Sequence, residues 1–312
     1  MESKFYLIQK QDLIDHMRSK GITTNYSTDQ EIIEYLTNNT YFYKIASYRK
    51  NYDKFLEGSH KGQYIGLDFE YLKDLAIIDM HLRELMLVMT INIEHYTKLK
   101  ILNLVEEKKE NTYEILEDFK NNLPIDRQQR LLNELERNQY NTYAKGLYAR
   151  YGTTYPLCAF LEVISFGTLN EFVLYLSKRY QMQYIKDIHF LLKSCKNIRN
   201  AAAHGSPILN DLHTTKPSHA HHEIKQSLNE IPSLTARSIR KKLRNIRIKE
   251  IVTVLYTHKI LVSSKGIDEH ISLKLNHFVK RLNRNQSYYQ NNDLLRSNFN
   301  FLTTVIEFWY KV

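Results

Sequence analysis

From about Asp68 to Glu107 the stretch "DFEYLKDLAIIDMHLRELMLVMTINIEHYTKLKILNLVEE" keeps helical spacing throughout and predicts one long helix. Within it Asp79, Arg83, Thr90 and Glu94 are separated by 4, 7 and 4 residues, so they share a stripe among Leu82, Leu85, Met86, Val88, Met89 and Ile91. A polar stripe on so apolar a helix needs partners. Two readings fit. Asp79 and Arg83 form an intrahelical pair with Glu94 as a rim carboxylate, or Asp79, Arg83 and Glu94 stand behind a polar site and orient it. The same helix holds the best membrane candidate, "LRELMLVMTINIEHYTKL", which Arg83, Glu84, Glu94 and His95 interrupt. It reads as a buried helix, and "MESKFYLIQKQD" is too polar for a signal peptide.

Only 9 Gly and 5 Pro stand in 312 residues, too few for the turns of a sandwich or barrel, and the expected fold is all-α. A hydrophobic content of 43% suffices for a packed core. Short helices are predicted between Tyr6 and Tyr52, one of them capped by Ser27 with Glu31 in its first turn. The glycine-bearing "GSHKGQYIGLDFE" reads as a loop. "YPLCAFLEVISFGTLNEFVLYLSKRY" reads as a core helix, and "YIKDIHFLLKSCKNIRNAAAH" lines Ile185, Ile188, Leu191, Leu192, Cys195, Ile198 and Ala202 along one face. The expected segments are a small helical part at 1–60, a helical core at 61–212, a loop or linker at 213–233 and a basic helical part at 234–312. Cys158 and Cys195 fall in or beside apolar runs and read as reduced core residues of a cytoplasmic protein.

The formal charge of +10 favours polyanions, either nucleic acid or an anionic membrane face. Two stretches concentrate it. "YFYKIASYRKNYDKF" interleaves Tyr41, Tyr43, Tyr48 and Tyr52 with Lys44, Arg49, Lys50 and Lys54, a mixture that stacks on bases while it contacts phosphates. The plainer alternative is a core helix with a solvated basic face. "ARSIRKKLRNIRIK" gathers Arg237, Arg240, Lys241, Lys242, Arg244, Arg247 and Lys249 beside Ile239, Leu243, Ile246 and Ile248. That pattern suits an RNA phosphate surface, a solvated face or a membrane surface. His213, His219, His221 and His222, with Asp211 and Glu223, hold metal-ligand chemistry on a stretch that reads as a loop, and no metal is expected there. Neither a Walker motif nor a nucleophile elbow is present, so no cofactor and no nucleotide are expected.

The run "CKNIRNAAAHGSPILND" ends a predicted helix on Arg199, Asn200 and His204, just where Gly205 and Pro207 stop it. Residues four apart lie about 40° from each other on a helix, so Asn200 and His204 can touch. Arg199 points elsewhere but is long enough to swing toward the helix end. Three polar side chains there form a simple cap that complements the dipole, or they form a site. The chemistry that fits a site is RNA cleavage without a metal. His204 acts as general base or acid, Arg199 stabilises charge on the phosphate oxygens, and Asn200 orients the imidazole or a phosphate oxygen.

"LLKSCKNIRNAAAHGSPILN" resembles the Arg-Asn-x-x-x-His motif of HEPN ribonucleases. With "LTNNTYFYKIASYRKNYDKF", the long helix and "YPLCAFLEVISFGTLNEF", residues 20 to 212 resemble the Abi family of abortive-infection phage-resistance proteins, the AbiD/AbiF-like group. The resemblance implies an all-α HEPN-like bundle, catalysis by Arg199, Asn200 and His204, and a composite site formed across a homodimer. It also implies a structured small noncoding RNA as partner, as in a toxin–antitoxin pair. Asp79 and Leu82-Arg83 match the family's long helix, with Glu94 in the next block. The chain departs from the family after Pro156, where Leu157 and Cys158 replace an aromatic. The rival expectation is an RNA-binding protein without catalysis, in which the same motif only grips a phosphate.

Overall fold

The computed structural model describes residues 9–213 and 220–311. Among them the regular structure is fifteen α-helices, a few 3-10 turns and a single pair of two-residue strands, so the fold is all-α. The helices begin with α1 (Lys10–Ser19), α2 (Asp29–Asn38), α3 (Phe42–Ala46) and the long α4 (Phe69–Glu107). After these come α5 (Glu114–Asn121), α6 (Ile125–Glu136), α7 (Lys145–Tyr151) and α8 (Leu157–Val163). Next are α9 (Phe166–Arg179), α10 (Gln183–Ala203), α11 (His222–Asn229) and α12 (Ala236–Leu243). The last are α13 (Ile246–Leu261), α14 (Lys265–Asn283) and α15 (Asp293–Trp309). No helix among the described residues is long and apolar enough to cross a membrane.

The chain separates into two compact units. One comprises Met1–Val88, Ile198–Leu255 and Lys265–Val312; the other comprises Met89–Asn197 and Tyr256–Ser264. In the first unit, β1 (Ile22–Thr23) pairs in parallel with β2 (Leu67–Asp68). Buried Asp68 secures the start of α4. It accepts from the Thr23 hydroxyl at 2.7 Å, the Asn25 N–H at 2.8 Å and the Glu70 N–H at 2.9 Å. One turn further, buried Asp74 accepts from Arg281, from Asn285 at 2.8 Å and from the Tyr289 hydroxyl, which ties α4 to the end of α14. Hydrogen-bonded on both oxygens and paired with Arg281, it is the kind of buried polar group an apolar core tolerates.

Thr28 caps α2, in place of Ser27. Thr28 is the last residue with extended backbone, and its Oγ1 accepts the Glu31 N–H while Glu31 accepts the Thr28 N–H at 2.8 Å. Ser27 donates to Glu70 instead. Within the stretch expected as a linker, His222–Asn229 forms α11 with Ile224 and Leu228 buried. Two apolar positions four apart are too short a pattern to stand out in so polar a run.

In the second unit Phe119, Phe160 and Phe172 pack edge to face, and Tyr175 stacks on Phe172 with centroids 5.8 Å apart. Fully buried His258 sits with its Nε2 3.4 Å from the Asn92 amide nitrogen. Burial pushes its pKa down to about 4, so it is neutral in the fold. Cys195 is buried as expected, whereas Cys158 is exposed. On α8 Leu157, Phe160 and Leu161 face inward at helical spacing, and that turns position 158 outward.

Candidate active site at the end of α10

The last turn of α10 closes in a Schellman motif. The Gly205 N–H donates to Ala202 O at 3.0 Å and the Ser206 N–H to Ala201 O at 2.8 Å, with Gly205 in the left-handed region at φ +65°. A left-handed residue is where glycine costs least, and the reversal it permits turns the chain away directly after His204. His204 stands one residue past the helix, its N–H still bonded to Asn200 O at 3.0 Å. Its side chain is exposed, as is that of Asn200, while Arg199 is half-buried. The side-chain partner of Asn200 is Arg199, whose Nη1 donates to its Oδ1 at 3.3 Å. The expected reach of Asn200 to His204 is therefore replaced by a contact between the motif's first two residues.

The loop after the motif is strapped down from three directions. Asp79, fully buried on α4, accepts the Ile208 N–H at 2.8 Å and the Leu209 N–H at 2.6 Å on one oxygen, and Arg83 Nε at 2.8 Å on the other. Asn51 donates to Leu209 O at 2.8 Å and accepts the Leu212 N–H at 2.9 Å. Arg247 at the start of α13 donates to Pro207 O at 3.2 Å. Three N–H groups and two carbonyls of the irregular backbone 207–212 are thus bonded to side chains, as buried backbone polar groups require. Asp79 and Arg83 form the intrahelical pair, and the same Asp79 carboxylate supports the loop after the motif.

Facing His204 is the basic and aromatic stretch. Tyr41, Phe42, Tyr43, Lys44, Arg49 and Lys50, on α3 and the 3-10 turn Ser47–Asn51, share with His204, Gly205, Ser206 and Pro207 a cleft of about 440 Å³. Tyr41 and Tyr43 expose their rings, Tyr43 to 82%. Ile45 and Tyr48 on the other side of the segment are buried. So the segment has the apolar face of a core element, and its exposed face lines the cleft.

Burial and the neighbouring Arg83 charge lower the Lys44 ammonium pKa, with Asp79 opposing them. The buried Tyr48 phenol is pushed far up by burial and by the Asp79 carboxylate, so it stays neutral. The cleft is therefore cationic on the Lys44, Arg49 and Lys50 side and carries one imidazole at the helix end. That set can bind a phosphate and move a proton beside it.

The other expected residues lie elsewhere. Glu94 belongs to the second unit, where it pairs with Lys98 at 3.5 Å. Arg237, Arg240, Lys241 and Arg244 are exposed along α12 and its C-cap. Lys242 turns inward and donates to Ser297 at 2.7 Å and Asn298 at 2.8 Å. Burial lowers its pKa to about 8. Arg247 is engaged with Pro207, so it serves the loop. His219 lies outside the described residues. His213 stands 3.6 Å from Asp53 and His221 3.8 Å from Glu223; among the described residues no group of three metal-binding side chains gathers. Asn51 is the residue that sequence reasoning missed. It sits between Lys50 and Tyr52 in a basic run, where one more Asn carries no periodic signal.

Fold and cleft together define an all-α protein whose cation-lined cleft is built on the C-terminal end of a helix. The chain belongs to the Abi-like protein family, whose model matches residues 34–210, and with it to abortive-infection defence against phage. The matched span includes the cleft segment, Asp79, Arg83 and the motif, and it stops before α12. Searches of the curated proteins and of the solved structures found no match.

Proposed function

We propose that this Abi-like protein is a metal-independent RNA endonuclease of the HEPN type. The observation that supports it most is the meeting of His204 with Lys44, Arg49 and Lys50 in one cleft, from segments far apart in the chain. In the reaction the 2′-hydroxyl attacks the adjacent phosphorus, the P–O5′ bond breaks, and a 2′,3′-cyclic phosphate and a 5′-hydroxyl result. His204 takes the 2′-hydroxyl proton or returns one to the leaving 5′-oxygen, and the cations offset the charge on the phosphate oxygens. One imidazole performs one of these transfers at a time. A homodimer that brings two motifs together supplies both, and the exposure of Asn200 and His204 suits such an approach. The exposed cations of α12, Arg237, Arg240, Lys241 and Arg244, are the surface we assign to a structured small RNA.

The test incubates purified wild type and His204→Ala with labelled total RNA in EDTA. Cleavage by wild type alone, leaving cyclic-phosphate ends, supports the endonuclease. RNA that is bound equally by both and cut by neither replaces it with an RNA-binding protein that has no catalytic step.

A further inference from the structure

Two cations meet at one point beside the motif histidine. A Cβ built on Gly205 would lie 3.3 Å from Lys44 Nζ and 3.5 Å from Arg83 Nη1. The Arg83 side chain is only 12% exposed, and its Nε is committed to Asp79. Among the described residues Lys44 makes no ion pair within 4.0 Å and feels Asp79 only at longer range, and Arg83 pairs with Asp79 alone. That carboxylate also serves the N–H groups of Ile208 and Leu209. Two positive groups held this close, one of them almost out of water, repel each other, and a single shared carboxylate leaves the point net positive. An anion placed over Gly205, in the space a side chain would fill, offsets the excess.

We propose that Lys44 Nζ and Arg83 Nη1 form a phosphate seat over Gly205, built within one chain, that holds an RNA backbone phosphate next to His204. A phosphodiester presents two non-bridging oxygens, enough to accept from both cations together. The exposed rings of Tyr41 and Tyr43 on the same cleft offer a platform for the base attached to that phosphate. Only the owner of the phosphate rests on the endonuclease reading; the seat itself rests on the two cations.

The probes are pyrophosphate and an RNA hexamer made uncleavable by 2′-deoxy substitution, titrated into wild type, Lys44→Met and, as a control, Lys145→Gln, an exposed cation outside the cleft. Lys44→Met removes one of the repelling charges and keeps the stem of the side chain. It is expected to melt at or above the wild-type temperature in phosphate-free buffer, and to bind both probes at least tenfold more weakly. Lys145→Gln is expected to bind pyrophosphate as wild type does. Undiminished pyrophosphate binding by Lys44→Met overturns the seat, and so does a lower melting temperature for that variant with unchanged affinities. Weakened pyrophosphate binding with an unchanged hexamer affinity overturns the RNA assignment. If wild type fails to cleave RNA while Lys44-dependent binding of both probes persists, the seat stands and the endonuclease reading falls.

Discussion

The carboxylate of Asp79 accepts the backbone N–H of Leu209 at 2.6 Å, across 130 positions of sequence. With the Ile208 N–H and Arg83 Nε, the fully buried Asp79 forms a junction that holds α4 to the loop after the motif. Asp79→Ala leaves Arg83 and two N–H groups without their acceptor. The expected loss is about 3–5 kcal/mol in urea unfolding. Asp79→Asn keeps an acceptor oxygen and is expected to lose less. Equal losses for the two would show that the charge is irrelevant to the junction.

Gly205 separates strain from site. Its φ of +65° makes Gly205→Ala unfavourable by about 1 kcal/mol from backbone alone. Gly205→Asn tolerates that conformation better, yet it fills the same space beside Lys44 and Arg83. Both variants are expected to lose RNA affinity by a similar factor while Asn melts above Ala. Wild-type affinity in the Asn variant would show that the space over Gly205 is not used.

His258 predicts an acid sensitivity. Its folded pKa, about 4, lies below the ordinary value of 6.5, so between those values the unfolded chain binds more protons than the folded one. Stability is then fully present above pH 6.5 and falls as pH drops toward 4, by about 3 kcal/mol in all. His258→Gln is expected to flatten this part of the stability curve, measured by chemical unfolding from pH 7.5 to 4. An unchanged slope in the variant would assign the sensitivity to another group.

The two kinds of basic residue on α12 should separate by salt. Arg240 and Arg244 are exposed, and each substitution to Gln is expected to lower the slope of log affinity against log salt for RNA by about 1. Lys242 is held by Ser297 and Asn298, so Lys242→Gln is expected to leave that slope alone and to reduce stability. A reduced slope for Lys242→Gln would mean that its ammonium leaves those partners to reach RNA.

The helices are legible locally, because scarce Gly and Pro and a sustained period near 3.6 leave few other solutions. The sequence also marked Gly205 as the stop of α10, since a left-handed C-cap is written locally, and the pairing of Asp79 with Arg83, since four residues make one helical turn. Which distant segments share the cleft is set by how separate elements pack. Lys44 and His204 are 160 positions apart, and nothing in either stretch names the other. Asn51, Lys242 and Arg247 show the same limit: each looks like one more polar residue in a basic run, and only packing reveals that all three bond inward. Periodicity reports which face of an element is apolar. The partner of a polar side chain is set by where separate elements meet, and a one-dimensional pattern does not carry that.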